Sequence, residues 1–258
     1  MYQIRTYIIF IVIFTLGVNP NYGQCYPNNI VTSTFATGGT GIYLNRIIWL
    51  TWGAQSYSDT YGLTNQILNN GETSYASIPL SQYKYFCLQA TINNITPASS
   101  IRSYIPGNYV GDSMDNMYNI GGTGNNNQMV AGIINANSGT RASFSVSCQA
   151  FLDGNPVKIK GLVIADAESL ASSEEIKVSS DGDWKVAEVK KNLGAGTYEI
   201  LKTNIAGGLQ QVHLFNGNDN NTAGVTILAF NDTAYDTEAN NYEVTFNVEV
   251  KGAGLTAI

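Results

Sequence analysis

The strongest constraint in this sequence is a period of two. From Tyr242 to Val250 (YEVTFNVEV), Tyr242, Val244, Phe246, Val248 and Val250 fall on one face and Glu243, Thr245, Asn247 and Glu249 on the other. Side chains alternate across a β-strand, so this pattern predicts a strand with one side in a core and the other in water. Leu162–Ala165 (LVIA) and Val225–Phe230 (VTILAF) are largely apolar on both faces, which predicts strands inside a sheet stack. Sustained helical period is missing beyond residue 25, and the one helix expected is a turn or two around Ser169–Glu175. Asn69-Asn70-Gly71, Asp153-Gly154-Asn155, Gly194-Ala195-Gly196 and Asn216-Gly217-Asn218 punctuate the strands, and Asp153–Asn155 reads as a tight hairpin. Many short strands with such turns predict an all-β fold, a two-sheet β-sandwich or jelly roll. No proline-rich linker or charge block divides residues 25–258, which are expected to form a single domain.

Residues 1–24 read as an export signal. Arg5 supplies the positive start, Tyr7 to Leu16 (YIIFIVIFTL) the apolar run, and Gly17 to Gln24 a polar cleavage region. The run is shorter than the roughly 20 residues a bilayer span needs, so no membrane span is expected once the signal is removed. Cleavage is expected after Gln24. It takes the net charge from −6 to −7, because Arg5 is the only charged residue removed. The chain is acidic and its lysines are scattered, which argues against a partner with a phosphate backbone, DNA or RNA. A single His excludes a His-rich zinc site. Only 12% of residues are charged; Asn, Ser, Thr, Gly and 16 Tyr fill the polar positions. Such a surface suits an extracellular protein that meets neutral ligands through hydrogen bonds and flat rings.

Export places three cysteines in an oxidising compartment, where at most one pair can form. In Tyr83–Ile92 the apolar face is Phe86, Leu88, Ala90 and Ile92, which turns Cys87 the other way. In Ala142–Phe151, Cys148 shares the apolar face with Phe144 and Val146. That arrangement disfavours a Cys87–Cys148 bond. Two readings remain: a Cys25–Cys87 bridge with Cys148 a buried free thiol, or no bridge at all.

Gly38-Gly39-Thr40-Gly41 and Gly121-Gly122-Thr123-Gly124 lack the Lys and Ser/Thr of a phosphate-binding loop. They are expected to let backbone pass close to a neighbouring strand, with the backbone of Thr37 to Gly41 and of Asn119 to Asn127 as site-lining candidates. Asp112 and Asp115 flank an irregular stretch and offer oxygen ligands to a hard cation, calcium being the candidate. No EF-hand ladder accompanies them, and turn-capping is the plainer role. Trp49 and Trp52 lie on opposite faces of one strand. Both are expected in the core, the other reading being that one stacks in a groove. Trp184 follows Asp181-Gly182-Asp183 and is expected at a turn, as the most exposed of the tryptophans. His213, in Val212-His213-Leu214, has no Ser/Asp partner pattern and reads as a strand residue.

Asp166 and Glu168, spaced by two, point to the same face of a strand as Leu162 and Ile164. Residues so placed are roughly 6–7 Å apart, within the roughly 5–9 Å that glycoside hydrolysis requires of its two carboxylates. The stretch partly resembles the Glu-x-Asp-x-Glu strand of laminarinase-type jelly-roll glucanases, but Ile164 stands where that motif has its nucleophile. Asp166 and Glu168 are therefore expected to accept hydrogen bonds or bind ligand, and hydrolysis is the alternative.

Several motifs together resemble one family. They are Phe35-Ala36-Thr37-Gly38-Gly39-Thr40-Gly41, Trp49 with Trp52-Gly53, Tyr104-Ile105-Pro106-Gly107, Tyr118-Asn119-Ile120-Gly121-Gly122-Thr123-Gly124 and Ile164-Ala165-Asp166-Ala167-Glu168-Ser169. Over roughly residues 33 to 258 the chain resembles the non-repetitive ligand-binding domain of CshA-type fibrillar adhesins. The resemblance implies a lectin-like β-sandwich, secreted or on a bacterial surface, that binds a host or partner-cell protein or glycan and catalyses nothing. A structural fibril unit is a further alternative. The ligand surface is expected on loops at one end of the sandwich, from Asp112, Asp115, Tyr118, Asn119 and Trp184 near the Asp166–Glu168 strand end.

Overall fold

The computed structural model describes residues 33–35, 38–53, 66–81, 84–104, 116–119, 132–136, 139–166, 170–191, 199–217, 222–230, 242–252 and 255–257. The expected signal segment, Cys25, Asp112, Asp115, Glu168 and the second Gly-Gly-Thr-Gly stretch lie outside these residues. The described fold is all-β. A large antiparallel sheet runs in the order β12 (Glu199–Asn204), β13 (Gln210–Phe215), β10 (Glu175–Ser180), β15 (Val244–Lys251), β7 (Arg141–Leu152), β4 (Lys84–Thr96) and β3 (Thr73–Ser81). Strand β8 (Asn155–Val157) also pairs with β7. A smaller sheet runs β11 (Gly182–Lys191), β14 (Thr222–Phe230), β9 (Gly161–Asp166), β16 (Leu255–Ala257), β6 (Gly132–Asn135) and β5 (Ile101–Tyr104). A separate pair joins β1 (Ser33–Phe35) to β2 (Ile48–Leu50).

Alternation decides which face meets the core. Along β15, Val244, Phe246, Val248 and Val250 are buried while Thr245 and Asn247 are exposed. These residues share one hydrophobic cluster with Phe144, Val146 and Cys148 of β7, Ile176 and Val178 of β10, and Val212 and Leu214 of β13. Leu162 and Ile164 of β9, Ile133 of β6, Ile101 of β5 and Trp184 of β11 join the same cluster from the smaller sheet. The two sheets thus close over one core, and each fully buried Leu, Ile, Val or Phe contributes on the order of 1.5–3 kcal/mol to it. The predicted interior strands 162–165 and 225–230 are neighbours within the smaller sheet, as β9 and β14.

The hairpin at Asp153-Gly154 is as expected. Both residues have positive φ, 51° and 78°, and Leu152 pairs with Asn155 across a two-residue turn. The helix expected around Ser169–Glu175 is absent among the described residues. Glu174 accepts from the Ala171 N–H through Oε2 at 2.8 Å and donates its own N–H to Ala171 O at 3.1 Å. That closes a turn, and β10 begins at Glu175.

A single residue carries the chain from one sheet to the other. Strand β10 ends at Ser180 and β11 begins at Gly182, with only Asp181 between them. Ser180 and Gly182 are both buried, so this is a corner between the two sheets and not a surface turn. Register then shifts between Val186 and Glu188, a β-bulge that leaves Ala187 unpaired.

Candidate functional site

The expected exposure of Trp184 is corrected by its place just past that corner. It is fully buried, at 0%, and belongs to the core cluster. Its ring Nε1–H donates to Gln210 O at 3.2 Å and its backbone N–H donates to Gln210 Oε1 at 2.7 Å. Lys202 Nζ donates to Trp184 O and to Asp183 Oδ1, both at 3.0 Å, tying the edge strand β12 to the edge strand β11. Asp-Gly-Asp resembles a turn in sequence because the same flexible residue serves a sheet-switching corner. Trp49 and Trp52 are both buried, each at 1%.

Tyr118 and Asn119 are also buried, at 0% and 5%, which corrects the expectation that they line a ligand surface directly. They belong to the seat of the first Gly-Gly-Thr-Gly stretch. Gly38 and Asn119 exchange both backbone hydrogen bonds, at 3.0 and 2.9 Å, and Thr40 and Gly41 donate their N–H groups to Asn116 O and Met117 O. Close approach explains the glycines. A Cβ on Gly41 would stand 2.2 Å from Tyr118 Cζ, and Gly39 holds a φ of +105° beside Met117 O. Trp49 meets the Tyr118 ring edge-on at 6.5 Å between centroids.

The Tyr118 hydroxyl accepts from Tyr43 N–H at 3.0 Å and donates to Glu188 Oε2 at 2.5 Å. Burial, and then the bond to Glu188, push this hydroxyl's pKa well above its ordinary value. Glu188 Oε2 also accepts from Ile42 N–H at 3.2 Å. Register fixes the face on which this happens. Trp184 stands opposite Leu228, and Leu228 opposite Leu162 in the core; Glu188 stands opposite Val225, and Val225 opposite Ala165, on the reverse face. Ala165, Ile47, Trp49, Met117 and Tyr118 are buried but are not members of the main core cluster. The turn of residues 38–46 is therefore held against the outer face of the smaller sheet. Nothing in the sequence marks the β-bulge or the role of Glu188.

Asp166 lies at the C-terminal end of β9, opposite Thr256, and is 1% exposed. It follows Leu162 and Ile164 on the core-facing side, as its spacing predicts. Glu188 and Asp166 thus sit near the same end of the smaller sheet, on opposite faces. Among the described residues no group of three or more His, Cys, Asp or Glu is arranged to hold a metal ion.

Cys87 is disulfide-bonded and 2% exposed, on the face of β4 opposite Ala90 and Ile92. Cys148 is a buried free thiol. His213 lies in β13, stacked on Phe215 at 4.3 Å, with Nε2 3.3 Å from Glu175 Oε2. Glu175 further pairs with Lys251 at 2.8 Å and Arg141 at 3.0 Å, and Glu249 with Arg141 at 2.6 Å and Lys177 at 3.0 Å. These charges form a ladder over β7, β15, β10 and β13 on the outside of the large sheet, in which Arg141, Lys177 and Lys251 surround the two carboxylates.

Among the described residues no helix is long and apolar enough to cross a membrane. No match is found among curated proteins or among solved structures. The family described as surface adhesin CshA non-repetitive domain 2 matches residues 45–258. The matched stretch starts later than the resemblance read from the motifs, and the Phe35–Gly41 motif lies before it. It contains Trp49, Tyr118, Asp166, Trp184 and Glu188, and the chain belongs to this family of surface adhesins.

Proposed function

We propose that this chain is a lectin-like adhesin domain at the cell surface. It binds an extracellular glycoprotein, matrix protein or glycan, and it does so without chemistry on the ligand. The observation that carries this reading is the seating of the 38–46 turn. Buried Tyr118 and Asn119, the glycines and Glu188 hold that turn in place, while Ile42 is left 66% exposed on it. Pre-organised loops on a sheet scaffold are where binding surfaces arise, because the strands themselves are committed to the core. Asp112 and Asp115 precede Tyr118 by six and three positions in the chain, and in this reading they contribute polar contacts beside the turn, with Glu168 at the β9 end. Burial of Asp166 supports a non-catalytic role, since a carboxylate that cleaves a polysaccharide has to reach the scissile bond.

A binding array of glycans and matrix proteins, run with and without chelator, tests this. The expected result is a defined set of ligands for the wild-type chain and binding weakened by about 1–3 kcal/mol in an Asp112→Ala, Asp115→Ala variant. Loss of binding with chelator adds a cation to the site. Undiminished binding by a correctly folded double variant would remove those two residues from it.

A further inference from the structure

We propose that Glu188 is a positioning residue whose single carboxylate oxygen latches the 38–46 turn onto the outer face of the smaller sheet. This deepens the proposed binding surface and rests on that reading for the turn's role in adhesion. The latch itself is tested without any ligand.

Three features of the structure converge on one atom. Glu188 Oε2 accepts from the Ile42 N–H at 3.2 Å and from the Tyr118 hydroxyl at 2.5 Å, and that hydroxyl accepts the Tyr43 N–H at 3.0 Å. Two successive amides of the turn thus end, directly or through one phenol, on a residue 146 positions away from Ile42. Within the turn itself, the N–H of Arg46 donates to Tyr43 O at 3.0 Å. The second feature is the β-bulge. Strict alternation from Trp184 would place Glu188 on the core side, where an ionised carboxylate is costly. The extra residue Ala187 turns it to the outer face, within reach of the turn. The third is the glycine seat: the Tyr118 ring fits under the turn because Gly41 has no Cβ, and this aims its hydroxyl at Glu188. Bonds to a carboxylate are the stronger kind, so the latch dominates the hold on Ile42 and Tyr43.

Hydrogen exchange of the Ile42 and Tyr43 amides in the full-length chain reads the latch directly, with trypsin cleavage after exposed Arg46 as a second readout. In Glu188→Ala the Ile42 amide loses its bond to the carboxylate and the Tyr43 amide loses the anchor of its phenol acceptor; both are expected to exchange about tenfold faster or more, and Arg46 to be cut sooner. Amides in β15 should be unaffected. Glu188→Gln keeps an acceptor oxygen and is expected to restore most of the protection, which a purely charge-based role would not do. Should Glu188→Ala fail to fold, Tyr118→Phe removes the same path to Tyr43 while keeping the ring, and the Tyr43 amide should still lose protection. Unchanged exchange at both amides in Glu188→Ala, or in Tyr118→Phe at Tyr43, would overturn the latch. Loss of protection with array binding intact in an Ile42→Asp variant would instead overturn the proposed surface and leave the latch standing.

Discussion

Trp184 and Gln210 satisfy each other twice. The indole Nε1–H of Trp184 donates to the Gln210 carbonyl, and the Gln210 side-chain oxygen accepts the Trp184 backbone N–H, at 3.2 and 2.7 Å. One residue of β13 thereby caps the edge of β11 and the polar end of a buried ring. A ring so held belongs to the core, so Trp184→Ala is expected to destabilise the fold by about 3–5 kcal/mol. Gln210→Ala, which leaves the indole bond to the backbone but orphans one amide, is expected to cost about 1–3 kcal/mol. Urea unfolding followed by circular dichroism checks both. A Trp184→Ala midpoint equal to that of the wild type would return this residue to the surface.

Gly41 makes a steric prediction. Its substitution by Ala sets a carbon 2.2 Å from Tyr118 Cζ, so the ring or the turn has to shift. Overpacking of this kind costs about 1–3 kcal/mol. A double variant, Gly41→Ala with Tyr118→Leu, should recover part of the loss, since the clash goes with the ring. Additive costs in that thermal-denaturation cycle would show that the two residues do not press on one another.

Acid should weaken the fold in two stages. Burial, and then Lys177, hold the His213 pKa below its ordinary 6.5, with Glu175 opposing. A hydrogen bond from Lys251, and then one from Arg141, hold Glu175 down to about 2 against an ordinary 4.5. In both cases the folded state binds fewer protons than the unfolded chain, so stability is highest above pH 6.5 and declines as pH falls. His213 acts first, just below 6.5, and Glu175 follows between 4.5 and about 2. Denaturant midpoints measured from pH 7.5 to pH 3 should fall steadily, and His213→Gln should abolish only the upper part of the fall. A midpoint that rises between pH 7 and pH 5 would contradict the assignment.

Cys148 should be chemically silent in the native chain. It is buried, and burial together with the charge of Glu243 pushes its thiol pKa well above the ordinary value, so little thiolate forms. A thiol reagent should label the unreduced protein only after denaturant is added. Prompt labelling of the native protein would show that the face of β7 carrying Phe144 and Val146 opens readily.

The strands were legible because a one-sided sheet writes its period into the chain. Val244, Phe246, Val248 and Val250 announce β15, and Asp153-Gly154 announces the turn that only residues tolerant of positive φ can make. Burial of Trp184 was not legible, since Asp181-Gly182-Asp183 reads as a surface turn unless one knows that β10 and β11 belong to different sheets. Glu188 was illegible for a related reason. In Lys185-Val186-Ala187-Glu188-Val189 nothing marks the unpaired Ala187, and one extra residue reverses the face of all that follows. The glycine stretch is legible as a close-packed backbone, but its partner Tyr118, 77 positions beyond Gly41, reads in the sequence as a ligand contact because a tyrosine beside a glycine loop serves either purpose.

The most direct test of the adhesin account compares two exposed substitutions on opposite outer faces of the molecule. Ile42→Asp places a charge on the turn held by Tyr118 and Glu188, while Thr245→Arg alters the outer face of the large sheet. Binding of both variants to the array ligands of the wild-type chain is the measurement, with folding checked by thermal denaturation. The account predicts at least about a tenfold loss for Ile42→Asp, the scale of a contact near the centre of an interface, and no change for Thr245→Arg. Full binding by Ile42→Asp together with loss by Thr245→Arg would contradict it and place the ligand on the large sheet.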